Sequence, residues 1–422
     1  MIAMSSSVQG PASSAERARR PTPDARPSSH LHSSSVQGPA SSPGVEHARR
    51  ATLDAGPSSH LLVVAAGTGG HVMPGLAVAD ELQRRGWTVS WLGTRVGMER
   101  KLVEARGIAF DAIDFAGLRG KGLKTLLFGG VHLLRGLWQS RVIVAARRPA
   151  LMFSTGGYVA VPAGLAAGLA GVPLAVLNAD AAPLLSLRML KSVASAVFCG
   201  FDGEAARQAG DKGLVTGNPV RDDILQLPAP AQRYAGRDGP LRLLVVGGSL
   251  GSQVLNQTLP AALAAIDPER RPNVVHQCGA AHVETTRAGY AAAGLALDAG
   301  IEVIPFIDDI AARYAAADVV LCRAGAITVS ELCVAGLPAI LVPFAVKTTA
   351  HQRTNAEFLA QHGAAIHLAQ SEMTAARVAD LLRGLTRTQL LDMALRAQSI
   401  GRPNATRMVA DAIEHIAKEA TA

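Results

Sequence analysis

The chain has 422 residues, is 49% hydrophobic, 4% aromatic and 18% charged, and carries a formal net charge of +8. At roughly 150 residues per domain its length predicts two to three domains, and 42 glycines with 23 prolines suit an α/β protein of short connections. Its four cysteines (Cys199, Cys278, Cys322 and Cys333) lack any C-x-x-C spacing, which argues against a disulfide framework or a zinc site and fits buried thiols in a reducing compartment.

Residues 1–59 stand apart. SSSVQGPASS occurs at Ser5–Ser14 and again at Ser33–Ser42, and PSSHL at Pro27–Leu31 and Pro57–Leu61. This tandem duplication has no apolar period and cannot bury enough surface to offset its ordering entropy, so a disordered extension is predicted. It has no apolar core of the kind a secretory signal needs.

Folded sequence begins with a first domain at 60–222. LLVVAAG from Leu61 reads as a buried strand, followed by Gly67-Thr68-Gly69-Gly70-His71 and a helical pattern running from Val72 to Arg85. The G-x-G-G-H spacing is not the dinucleotide fingerprint, but glycines let a ligand approach the backbone. A histidine at a helix start is expected to stay neutral, because the dipole disfavours a cation there; a solvated loop histidine is the competing reading. Strands are predicted at Thr88–Gly93 and Ile108–Asp114. Next comes the basic loop Gly117-Leu118-Arg119-Gly120-Lys121-Gly122. Leu123–Arg148 has helical period, with Leu123, Leu126, Leu127, Val131, Leu134, Leu137, Trp138 and Val142 on one stripe. No acid lies between Asp114 and Asp180, whereas Arg119, Lys121, Lys124, Arg135, Arg141, Arg147 and Arg148 all do. A basic amphipathic helix of this kind fits either an anionic membrane surface or a core-packing helix with a solvated cationic face. The positive field is expected on one face, and the missing acids favour the membrane.

Strand Ala150–Ser154 leads into a second glycine turn, Thr155-Gly156-Gly157-Tyr158. The uncharged run Val159–Leu177 approaches the length of a membrane span, but its glycines and prolines predict a helix at 161–170 and a strand at Val172–Leu177 instead. Gly217-Asn218-Pro219-Val220-Arg221 closes the first half. Residues 223–240 read as a linker and hinge.

A second domain is predicted at 241–400. Strand Leu241–Val246 enters a third glycine turn, Gly247-Gly248-Ser249-Leu250-Gly251-Ser252, and further strands fall at Asn273–Gln277 and Ile301–Pro305. The stretch Leu321–Phe344 reads as strand end, glycine turn, short helix and buried strand. Thr328-Val329-Ser330-Glu331 matches a capping box opening that helix, and Gly336 sits where a C′ glycine belongs. A helix entered straight from a strand end offers free N–H groups to a phosphate; an ordinary βα turn is the alternative. A last helix in 401–422 is expected to pack back on the first domain.

Taken together, GTGGHVMPGLAVADEL, GLRGKG, TGGYVAVPAGLAA, GNPVR, GGSLGSQVLNQTLP, FIDD and CRAGAITVSELCVAGLPAILVPF resemble the MurG family, over residues 61–420. The resemblance implies a glycosyltransferase-B architecture, two Rossmann-like parallel-sheet domains facing a cleft. It implies inverting, metal-independent transfer of N-acetylglucosamine from UDP-N-acetylglucosamine to the C4 hydroxyl of lipid I, giving lipid II in peptidoglycan synthesis, with no cofactor. It further implies that Ala326, Ile327, Thr328, Val329 and Ser330 frame the donor diphosphate, with Ser249 and Arg221 donating to it. Glu331 would take the ribose hydroxyls, Ile307 the uracil and Gln352 the sugar. Thr68, Gly69 and Gly70 would line the acceptor pyrophosphate and the donor sugar. His71 is the first candidate base, and Gly156, Gly157 and Tyr158 lie on the acceptor side. Arg119, Lys121, Lys124 and Arg135 would face the anionic cytoplasmic leaflet, where other cell-wall synthesis proteins are possible partners. No nucleic-acid partner is expected.

The chain departs from the family pattern after the fifth strand. Leu177-Asn178-Ala179-Asp180 stands where the family usually carries H-E-Q-N, leaving Asn178 or Asp180 to substitute and making Asp180 a second candidate base. Leu250 replaces a common Gln, and Thr349-Ala350 replace frequent acids. Three rivals share the fold class: another UDP-sugar transferase, a UDP-N-acetylglucosamine epimerase, and a catalytically weakened copy that binds the donor.

Overall fold

Thirteen parallel strands arranged as two separate sheets organise the described residues of the chain. The computed structural model describes residues 59–67, 69–115, 123–248, 250–297, 300–344 and 351–421, with the side chains of 123–129 left undescribed. The first sheet runs β3 (Ala109–Ile113), β2 (Thr88–Thr94), β1 (His60–Ala65), β4 (Leu151–Gly156), β5 (Leu174–Asn178), β6 (Ala196–Cys199), β7 (Gly213–Val215). The second runs β10 (Ile301–Ile304), β9 (Asn273–Gln277), β8 (Arg242–Val246), β11 (Val319–Cys322), β12 (Ala339–Leu341), β13 (Ala365–His367). Both orders reverse beside the first strand of their sheet. Parallel sheets of this kind bind ligands at the carboxyl ends of the strands, at such switch points.

The continuous apolar strands are buried on both faces, as sheets covered by helices require. Leu61, Leu62, Val63 and Val64 of β1, and Val319, Val320 and Leu321 of β11, have no exposed surface. All four cysteines are buried and free. Gly171 ends the helix Ala160–Ala170 at φ 68°, and no helix among the described residues is long and apolar enough to cross a membrane.

Two expectations change in detail. The segment read as a linker forms helices at Asp222–Leu225 and Pro230–Tyr234. Arg233 donates to the carbonyls of Tyr314 and Ala335, and the Tyr234 hydroxyl to that of Asp318. These residues are therefore part of the second half rather than a free hinge. The charge gap along the chain is also not a gap in space, because β3 and the residue after it supply the acids. Arg135 pairs with Asp114 at 3.0 Å and Arg147 with Asp111 at 2.7 Å.

The last helix, Ala405–Glu419, lies on the first-half helix Gly69–Arg84. Arg85 pairs with Asp411 at 2.6 Å and Glu414 at 3.1 Å, and the Trp87 indole N–H donates to Glu414.

Under the third glycine turn lies a closed polar network. His276, fully buried, accepts from the Tyr290 hydroxyl at Nδ1 (2.9 Å) and donates from Nε2 to the Asn256 amide oxygen (3.0 Å). Asn256 in turn donates to the carbonyl of Cys278. Burial pushes His276 from 6.5 down to about 4. Because the folded protein resists this protonation and the unfolded chain does not, stability is full above pH 6.5 and falls as pH drops toward 4. Urea unfolding across that window should lose roughly 3 kcal/mol, and His276→Gln should flatten the loss.

Candidate active site

Each half presents glycine turns at the carboxyl edge of its sheet. In the first, the turn after β1 enters the helix Gly69–Arg84, so His71 sits inside its first turn rather than ahead of it. The Thr155 hydroxyl donates to the His71 carbonyl at 2.6 Å, and His71 Nδ1 lies 3.0 Å from the Thr155 carbonyl. A carbonyl only accepts, so Nδ1 carries the proton and Nε2 keeps its lone pair. A methyl at Gly156 would approach Nδ1 to 2.7 Å, so glycine there is what admits the ring. His71 is held below 6.5 chiefly by burial, while the Asp180 carboxylate acts the other way and His351, from the second half, adds to the lowering. The neutral state expected from the helix dipole thus has burial as its main cause.

In the second half, the helix Ala326–Ala335 begins at once after β11. Its N-cap is Gly325, with no side-chain cap, and its first turn bond runs from the Val329 amide to the Gly325 carbonyl. The amides of Ala326, Ile327 and Thr328 precede that bond and retain donor capacity. The capping box expected at Thr328 is therefore absent: the N-cap of the helix lies three residues earlier, and Glu331 is bonded by Arg221 instead. Gly336 does end it in the left-handed conformation, φ 56°. Glu331 is 6% exposed, and Arg221 of the first half donates to its Oε1 from Nη2 (3.0 Å) and Nε (3.2 Å). Burial raises the Glu331 carboxyl, opposed by Arg221 and by the Tyr314 hydroxyl that donates to it.

Between these two edges lies the exit of β5. Asn178 donates to the carbonyls of Asp180 and Ala182 and accepts from the Leu184 amide, pinning its own loop. Asn355, from the second half, accepts from the Ala181 amide at 2.9 Å and donates to Asp180 Oδ1 at 2.7 Å and to the Ala324 carbonyl at 3.1 Å. Asn218 donates to the Ala179 carbonyl and to the Ser330 hydroxyl. Asp180, 6% exposed, is thereby held by the opposite half while its charge acts on His71.

Residues 61–199 match the Glycosyltransferase family 28 N-terminal domain and residues 242–416 its C-terminal domain. The UDP-N-acetylglucosamine--N-acetylmuramyl-(pentapeptide) pyrophosphoryl-undecaprenol N-acetylglucosamine transferase of Methylibium petroleiphilum is 56% identical over 365 residues, 85% of this chain and 98% of that one. The same enzyme of Chromobacterium violaceum is 54% identical over 85% of this chain and 99% of its own. The crystal structure of Acinetobacter baumannii MurG superposes with a TM-score of 0.71 at 38% identity, covering 84% of this chain and 99% of that chain. The chain belongs to the MurG family.

Of the positions that the MurG resemblance singled out, the structure links His71, Gly156, Asn178 and Asp180 of the first sheet's edge, through Asn355, Asn218 and Arg221, to Ala324, Ser330 and Glu331 of the second. Tyr158, half exposed, places its hydroxyl over Gly67. Gln352 accepts from the Phe344 amide at 3.0 Å, and Ile307 is half-buried against the core. The Val329 amide bonds the Gly325 carbonyl and its side chain has no exposed surface, while the Ser330 hydroxyl accepts from Asn218. Thr68, Ser249, Arg119 and Lys121 lie outside the described residues, as does the side chain of Lys124. Sequence reasoning missed Thr155, Asn355 and Tyr314. Asn355 lies three residues after Gln352, but nothing local announces a partner 175 residues away.

If neutral His71 is the base, kcat should stay flat as pH falls through 6.5 and drop only below it. Thr155→Val removes one clasp on the helix turn and should lower kcat by about tenfold with little change in donor KM, measured by steady-state kinetics.

Proposed function

We propose that the chain transfers N-acetylglucosamine from UDP-N-acetylglucosamine to the C4 hydroxyl of lipid I, with inversion, to give lipid II in peptidoglycan synthesis. The observation that carries this reading is the opposition of a one-tautomer histidine in the first half and an uncapped helix N-terminus in the second, inside a chain of the MurG family. His71 Nε2 would take the proton of the attacking hydroxyl. The amides at Ala326–Thr328 would meet the departing diphosphate, whose growing charge such fixed dipoles stabilise without reorganisation; in this reading no metal is required. Glu331, already oriented by Arg221 and Tyr314, would receive the ribose hydroxyls. Asp180 would hold the imidazolium that forms.

The membrane face rests on the helix Leu123–Arg147. Its Gly136, Ser140 and Val144 face inward, and a methyl at Gly136 would press on Phe115 and Pro162. Val131, Leu134, Trp138 and Val142 are 51–67% exposed on the opposite stripe, flanked by Arg135 and Arg141. A core-packing helix would show the reverse. Inserted into a leaflet, each of these side chains would gain on the order of 1 kcal/mol. This supports a peripheral position on the cytoplasmic face of the membrane, where the lipid acceptor is found, and it leaves a surface on which other cell-wall synthesis proteins can gather.

Transfer of labelled sugar from UDP-N-acetylglucosamine to a lipid I analogue, with no donor conversion when acceptor is omitted, tests the activity against the epimerase reading. Glu331→Ala should abolish donor binding in calorimetry; unchanged affinity would refute the ribose role. Leu134→Ser with Trp138→Ser should weaken sedimentation with anionic vesicles by about tenfold, leaving turnover of a water-soluble acceptor intact.

A further inference from the structure

Glu99 is a buried carboxylate that nothing above uses. It opens the short helix Glu99–Glu104 just beyond the carboxyl end of β2 and has no exposed surface. Oε1 accepts from the Thr94 amide at 3.0 Å and the Thr94 hydroxyl at 2.7 Å, while Oε2 accepts from the Gly67 amide at 3.4 Å. Among the described residues it has no ion pair. A carboxylate without a cation is costly to bury unless hydrogen bonds replace its water, and here every bond runs to the ends of two neighbouring strands.

The niche is built for it. A methyl at Gly97 would overlap the carboxylate itself, and one at Gly93 would sit 3.1 Å from its Cγ and 2.7 Å from the Phe110 ring. Gly97 has no left-handed backbone, so glycine is there for space rather than conformation. At the other end, Gly67 has φ 105°, and the Tyr158 hydroxyl lies 3.5 Å from where a methyl would stand. Gly67 is thus wedged between a carboxylate and a tyrosine, directly ahead of Gly69, Gly70 and His71.

We infer that Glu99 is a positioning residue: its carboxylate ties the first glycine turn to the end of β2 and so fixes the amides and the histidine that meet the acceptor. With no exposed surface it does not itself touch a substrate. Its effect on kinetics rests on the proposed function, together with the expectation from the family resemblance that Thr68, Gly69 and Gly70 line the acceptor pyrophosphate; its effect on the loop does not.

The test uses the full chain and three variants. Glu99→Ala removes the tie, Glu99→Gln keeps an acceptor oxygen toward Thr94 but turns an N–H donor against the Gly67 amide, and Gly97→Ala keeps the carboxylate but drives it from its niche. Glu99→Ala and Gly97→Ala should speed amide exchange across residues 67–71, read by mass spectrometry, with residues 247–252 unchanged. They should raise the KM for a lipid I analogue about tenfold while donor KM moves less than about twofold, and Glu99→Gln, which keeps the Thr94 bonds but loses the one to Gly67, should show the same split and the same faster exchange. Unchanged exchange at 67–71 in a folded Gly97→Ala variant would overturn the inference. So would an equal rise in donor and acceptor KM, which is what a general loss of structure gives. If the wild-type chain transfers nothing to the lipid acceptor, the proposed function fails and the exchange measurement still decides the role of Glu99.

Discussion

One amide side chain joins the two sheets at their carboxyl edges. Asn355 accepts from the Ala181 amide through its oxygen and donates from its amide nitrogen to Asp180 and Ala324, so both polar ends of the side chain are engaged where the halves meet. A buried amide satisfied in this way rigidifies what it touches, because breaking any one bond strands a polar group away from water. Asn218 makes the reciprocal reach from the first half to Ser330. The loop after β5 is gripped from both sides, and that grip sets Asp180 against both His71 and the residues leading into the helix Ala326–Ala335.

This loop is also where the chain departs from its family's usual residues. The H-E-Q-N positions carry Leu177-Asn178-Ala179-Asp180 here, and the structure shows how order is kept without them. Asn178 folds the loop onto itself through three bonds. Asp180 supplies the negative charge near the histidine, with Asn355 opposite it. Around this loop the halves meet through the amides of Asn355 and Asn218 and the carboxylate of Asp180, and Arg221 pairs with Glu331 at 3.0 Å beside them.

Much of the fold was legible because parallel strands buried on both faces are continuous apolar runs, and because glycine marks their exits. LLVVA and VVLC need no partner to be read as strands. What escaped was whatever depends on a contact distant in sequence. A capping-box pattern at Thr328 outranks Gly325, which caps by backbone alone, so the sequence puts the cap of the helix Ala326–Ala335 three residues late. The outward turn of Val131, Leu134, Trp138 and Val142 could not be told from an inward one, since period fixes a stripe but not its direction. Arg135 and Arg147 looked unpaired because Asp114 and Asp111 lie one element upstream. Burial, rather than the helix dipole, governs His71, and burial is a property of the assembled cleft.

The polypeptide passes between the halves twice, once near 217–222 and again near 401–405, before its final helix settles on Gly69–Arg84. These two passages touch: a methyl at Gly217 would overlap the Arg402 side chain, and the Thr406 hydroxyl donates to the Val220 carbonyl. Two adjoining cords tied in this way form one seam, so a bulkier residue at 217 would press on the returning chain at Arg402 and, through it, on the segment that carries Arg221.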